Sequence, residues 1–177
     1  MSYKKLIPNG TVASLRITII PGGHNDPSQG WTDGLTTLAK TGSVYLKVQY
    51  RITQGKYSNN KFTSTIGLKS PKGPWWRKRG RNFIIAALNS GYKLGSEDKS
   101  AKAKRNRRLR SLSDLNGLAF TARIKTVEDQ NGNLVNDIDE IIVPNGAINT
   151  GGPARLRQTD LTAKLTAVAS DPMWMLE

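Results

Sequence analysis

Between Val44 and Ile52 the chain alternates without a break. Val44, Leu46, Val48, Tyr50 and Ile52 fall on one side, and Tyr45, Lys47, Gln49 and Arg51 on the other. Successive Cβ atoms of a strand point to opposite faces, so a period of two marks a strand with one buried and one wet face. This segment commits the chain to a sheet whose outer stripe here is an aromatic ring among cations.

Other segments extend the sheet. In TVASLRITII, residues 11–20, Leu15, Ile17 and Ile19 alternate with Arg16 and Thr18. Residues 21–34, PGGHNDPSQGWTDG, are so rich in Gly, Pro, Asn and Asp that a loop is expected. A turn around Gly55 leads to KFTSTIGL, where Phe62, Ile66 and Leu68 share a face, and the two strands should form an antiparallel hairpin. The period then changes. In RNFIIAALNSGY, Phe83, Ile84, Ala87 and Leu88 fall at helical spacing, and Gly91 ends the helix. The stretch SEDKSAKAKRNRRLRSLSDLNG has almost no bulky apolar residue before Leu109 and reads as a basic loop or a solvated helix. Strand alternation returns in GLAFTARIKTV. A turn at DQNGN, with Asn131-Gly132 suited to positive φ, leads to a last strand, VNDIDEIIVP. From Pro144 the sequence loosens, and Thr159 or Asp160 caps a short helix carrying Leu161, Leu165 and Val168.

The order is three strands, a helix, two strands and a tail. That is the order of the OB-fold, a small five-stranded barrel whose second and third strands hold oligonucleotides, although other five-stranded folds share it. The expected organisation is a mainly β domain over 1–144, with a basic insertion at 69–115, followed by a tail over 145–177.

Charge narrows the function. The 27 Lys and Arg residues outnumber 13 acids, for a net +14. Residues 69–110 hold fourteen of these cations against Glu97 and Asp98 alone, so they carry +12 of the total. Concentration on this scale builds a local potential, and the usual reason to keep one is a polyanionic partner. Nucleic acid is the expected partner. No apolar run approaches a membrane span, no amphipathic helix offers a bulky face to a bilayer, and MSYKKLIPNG lacks the apolar stretch of a signal peptide. A cytoplasmic location fits. With no cysteine, disulfides, thiolate metal sites and a cysteine nucleophile are excluded.

Within the basic stretch, GPWWRKRGR sets Trp75 and Trp76 directly before Arg77, Lys78, Arg79 and Arg81. Bases stack on aromatic rings while Arg and Lys follow the phosphates. One tryptophan of the pair is expected in the core and one exposed. The candidate nucleic-acid-binding set is therefore Tyr45, Lys47 and Arg51; Trp75, Trp76, Arg77, Lys78, Arg79 and Arg81; Lys102, Lys104, Arg105, Arg107, Arg108 and Arg110; and Arg123 with Lys125. No catalytic residue, metal or cofactor is expected. His24 is the single histidine and lies in the Gly- and Pro-rich loop. Asp137 and Asp139 could share a strand face and hold Mg²⁺ as nuclease carboxylates do, but hairpin acids on a basic protein more often serve solubility or pair with Arg123 and Lys125. There is no phosphate-cradling GxxxxGK[ST] loop and no GxSxG elbow.

On TGSVYLKVQYRITQGKYSNNKF, RNFIIAALNSGY, LNGLAFTARI and the closing hairpin with Asn136 followed by IIVP, the chain resembles phage and prophage single-stranded-DNA-binding proteins with an OB-fold. The resemblance spans about residues 11–144, and WWRKRGR and KAKRNRRLR are more basic than it requires. It implies coating of DNA during phage replication or recombination, in the host cytoplasm, with Tyr45, Lys47 and Arg51 as the binding strand face. The final DPMWMLE places apolar residues after an acid, like the C-terminal tips by which bacterial single-strand binders recruit replication or recombination proteins. Trp174 otherwise packs on its own barrel or on a neighbouring one, the latter giving a homo-oligomer. Leu176-Glu177 has the look of a cloning scar. The competing reading is a structural or packaging protein that binds duplex DNA or RNA by charge alone. What separates the two is whether Trp75, Trp76 and Tyr45 are exposed.

Overall fold

The computed structural model describes residues 5–151, so the expected tail helix and the Trp174 segment lie outside the described residues. The protein is mainly β, with an antiparallel sheet of eight strands among the described residues and one long helix. In chain order the elements are β1 (Val12–Ile20), β2 (His24–Asp26), β3 (Trp31–Leu38), β4 (Val44–Ile52), β5 (Lys61–Lys69), α1 (Trp75–Gly91), α2 (Ala101–Asn106), β6 (Ala119–Glu128), β7 (Leu134–Val143) and β8 (Gly146–Asn149).

The alternation in β1 and β4 becomes the core as expected. Leu15, Ile17 and Ile19 meet Leu46, Val48, Tyr50 and Ile52 inside, all buried. The strand ladder runs β2-β3-β4-β1-β6-β7-β8, with β5 on the other edge of β4. β1 occupies residues 47–52 of one β4 edge, and β3 continues that edge by pairing Thr37 with Tyr45 and Leu38 with Val44. The sheet is not closed into a barrel, because no backbone ladder joins β5 to β7 among the described residues. The two strands meet through a side chain instead, as Ser64 Oγ donates to Asp137 Oδ1 at 2.9 Å.

Residues 21–34 are a hairpin arm of β2 and β3 rather than a plain loop. Their alternation is weak because β2 is three residues long with an irregular register, and only Trp31 and Leu35 of the arm pack against the core. The arm's buried residue is the polar Thr36, which donates to the His24 carbonyl at 2.8 Å. Gly22 is needed at the base of the arm, since a Cβ there would lie 1.9 Å from Thr37 Oγ1. At the other end of the sheet, β8 pairs with β7 through Val143–Gly146 and Ile141–Ile148, so the sheet continues past the expected boundary at 144. A four-residue edge strand is too short to show a period. In the β6–β7 turn Gly132 has φ of 79°, whereas Asn131 keeps an ordinary negative φ.

α1 begins a turn and a half before the expected RNFIIAALNSGY, because its buried stripe starts at Trp76 and passes through Gly80 before Ala87 and Leu88. A Cβ on Gly80 would sit 1.7 Å from the Gly67 carbonyl oxygen of β5. Glycine inside a helix costs about 1 kcal/mol relative to alanine. Here it permits backbone-to-backbone approach, so α1 lies directly on β5. Further along, Phe83 joins Tyr50 and Phe120 with ring centroids 5.8–6.2 Å apart, and Phe62 stands 5.3 Å from Tyr50. Each such pair adds roughly 0.5–1.5 kcal/mol beyond the buried area. Burial pushes the Tyr50 phenol well above its usual range, and the nearby Asp137 charge pushes the same way.

Candidate nucleic-acid interface

The outer stripe of β4 lies between two other strands, and their register creates a row of cations. Arg16 of β1 is the direct partner of Arg51, and Arg51 is the direct partner of Lys61 on β5. Gln49, one step along the stripe, is flanked by Thr18 and Thr63, and Lys47, two steps along, by Ile20 and Thr65. All four cations are exposed. No acid occurs in β1, β4 or β5, and neither of the ion pairs Lys69–Asp26 and Arg123–Glu140 involves these four cations. Like charges placed directly opposite in a sheet are destabilising. A row of three is therefore a standing electrostatic strain on the sheet. Arg16 and Lys61 were not among the sequence candidates. Each looks like an ordinary strand residue until register places it beside Arg51.

The Tyr45 end of this stripe adjoins the start of α1. Gly67 is the cross-strand partner of Tyr45, and a Cβ on Gly67 would meet the Trp76 indole at 2.5 Å. Trp76 is thus the core member of the tryptophan pair. It is buried, and its Nε1 donates to the Val44 carbonyl at 3.3 Å, which removes it from the stacking set. Trp75 is 49% exposed, with Arg79 stacked over its ring at 5.4 Å. Arg79 Nε also donates to the Thr150 carbonyl at 3.1 Å. Arg77, Lys78 and Arg81 are exposed on the same helix. The first turn of α1 holds no acid, so these cations stand at the positive end of the helix dipole and add to it. WWRKRGR is therefore a helical surface with one buried and one exposed indole, as the sequence predicts for the pair.

The second basic cluster surrounds α2. Lys102, Lys104, Arg105, Arg108 and Arg110 are exposed, but Arg107 is tied inward. Its Nε donates to Asn89 Oδ1 at 2.6 Å and its Nη2 to the Gly95 carbonyl at 2.8 Å, while Nη1 donates to the Asp98 carbonyl. Arg107 clamps the arm to the C-terminal end of α1 instead of reaching for phosphate. The Ser100 backbone N–H and hydroxyl hold the Asp98 carboxyl below its ordinary value, with Arg107 and Lys102 adding to the effect.

Two further candidates leave the set. Lys125 is 2% exposed, because the end of β6 is buried on both faces from Ile124 to Val127, where the segment before β1 bonds to it through Gly10 and Asn9. Arg123 pairs with Glu140 at 3.2 Å and donates to the Gly10 carbonyl at 3.2 Å. A bulge between Arg123 and Ile124 leaves Asp139 outside the β6–β7 register, so Asp137 and Asp139 do not simply share a face. Among the described residues no group of three His, Cys, Asp or Glu is placed to hold a metal ion, and no helix is long and apolar enough to cross a membrane.

No protein-family model, curated protein or solved structure matches this chain.

Proposed function

We propose that this protein is a non-catalytic single-stranded-DNA-binding protein built on a partly open OB-fold, acting in phage-type DNA replication or recombination in the cytoplasm. The carrying observation is the unopposed cation row Arg16–Arg51–Lys61, with Lys47 four residues along β4 on the same outer face of three adjacent strands. Five of the strands support the fold reading. The pairing β5-β4-β1-β6-β7, with α1 between β5 and β6, is the ladder an OB barrel has when its last seam is left open. In that reading β4 and β5 are the strands on which oligonucleotides lie. The half-exposed Trp75 and the Tyr45 ring supply stacking at one end of the face, and the cations of α1 and α2 extend the positive field.

A second reading has its own support. With Trp76 buried and α2 carrying cations without an aromatic ring, the α2 arm is equipped to bind duplex DNA or RNA by charge alone. Salt dependence tests the electrostatic part common to both. If about five phosphates of a single strand are neutralised, log K falls against log[salt] with a slope of roughly −3.5. A slope near zero would exclude the cation row as the interface.

A further inference from the structure

The unclosed seam between β5 and β7 leaves a groove of about 630 Å³, within the size range of sites that hold small organic ligands. Its accessible apolar surface comes from Leu6, Leu134 and Val135, over a floor of the buried Ile7 and Phe62. The segment before β1 forms one wall, held there by Asn136, whose amide donates to the Ile7 carbonyl and accepts from the Ile7 N–H, both at 2.9 Å. Lys5, Lys47 and Lys61 line the groove and are exposed. Lys47 and Lys61 belong equally to the cation face, so face and groove are continuous.

Two acids also line it, and both are engaged within the protein. Asp137 accepts from Ser64 Oγ and from the Ile138 N–H, and Asp129 accepts from the backbone N–H groups of Asn131 and Asn133. The side chains of Asn59, Asn60 and Thr63, which make no side-chain hydrogen bond among the described residues, line the same space. A planar ring with apolar faces and a hydrogen-bonding edge matches apolar walls with amides beside them. A phosphate attached to that ring matches the lysines. Resting on the proposed function, we infer that the β5–β7 groove takes a nucleobase splayed out of a single strand whose backbone lies across Lys47 and Lys61. The protein would then read single-strandedness by swallowing a base that a duplex keeps stacked, in addition to stacking at Trp75.

The test compares (dT)6 with an abasic hexamer of equal phosphate number, on the full chain and on an Asn60→Ala, Thr63→Ala variant. Affinity and backbone amide NMR shifts are followed together. The groove predicts roughly tenfold tighter binding of (dT)6 by the native protein. It also predicts amide shifts over 59–65 and 134–137 with (dT)6 that the abasic strand does not produce, and loss of most of the preference in the variant. If both strands bind equally and those amides move alike, the groove is not a base site, while charge-driven binding stands. If neither strand binds, the proposed function falls and the groove with it.

Discussion

Arg51 on β4 faces Arg16 on β1 directly across the antiparallel ladder, and neither is paired with a carboxylate among the described residues. The arrangement trades stability for field. Replacing both by Ala should leave thermal stability unchanged or raise it, because opposed like charges cost roughly 0.2–1 kcal/mol in a sheet. The same variant should bind single strands more weakly, with its salt slope flattened by about 1.4, twice the single-strand increment. A melting curve and a salt titration on one preparation check both halves. Weaker binding with a lowered melting temperature would show that the two arginines serve the fold.

The tryptophans should separate cleanly. Trp75→Ala leaves the core intact and should weaken single-strand binding by about 1–3 kcal/mol with the salt slope kept, since salt hardly screens stacking. Trp76→Ala removes a buried indole from between α1 and Gly67 and should cost about 3–5 kcal/mol of stability. Denaturant midpoints beside binding curves decide it. Normal folding and native affinity in Trp75→Ala would move the stacking platform to Tyr45.

How much of this was legible in the sequence follows from where burial is one-sided. β1, β4 and β5 bury one face against the core, so their alternation reads directly, and so does the cationic stripe of β4. The β2–β3 arm and β8 set only Trp31, Leu35 and Ile148 against the core, too few residues for a period, so their sequences predict a loop and a tail. Side-chain fates that depend on register or on a distant partner were hidden. Lys125 alternates as the outward neighbour of Ile124, but the end of β6 is covered on both faces, and Arg107 is one cation among many in sequence while its guanidinium bonds Asn89 and two carbonyls. For the same reason Arg16 and Lys61 emerged only with the ladder.

Arg107 and Arg108 are sequence neighbours with different work. Arg107→Ala should loosen the arm at 93–110, seen as faster amide hydrogen exchange there, because bonds to a charged donor contribute about 1.5–3 kcal/mol. Arg108→Ala, exposed, should leave exchange unchanged and lower the salt slope by about 0.7. Equal effects of the two on the slope would place Arg107 at the phosphates after all.

Acid should act on the same arm through Asp98. Its folded-state carboxyl is held below the ordinary 3.8, chiefly by the Ser100 N–H. The unfolded chain therefore takes up the proton first, so the stabilisation is present above the unfolded value and is lost as pH falls through the folded one. Urea midpoints measured from about pH 6 down to about pH 2 should fall less steeply for Asp98→Asn than for the native protein. Parallel curves would remove Asp98 from the acid response.

Competition between poly-dT, duplex DNA and single-stranded RNA for one fluorescent dT oligonucleotide tests the central proposal most directly. A single-strand binder that stacks and engulfs bases predicts that poly-dT displaces the probe at concentrations at least roughly tenfold below those duplex DNA requires, since each stacked base is worth about 1–3 kcal/mol. Equal displacement by duplex and single strand at matched phosphate concentration would contradict it and leave a protein that binds nucleic acid by charge alone.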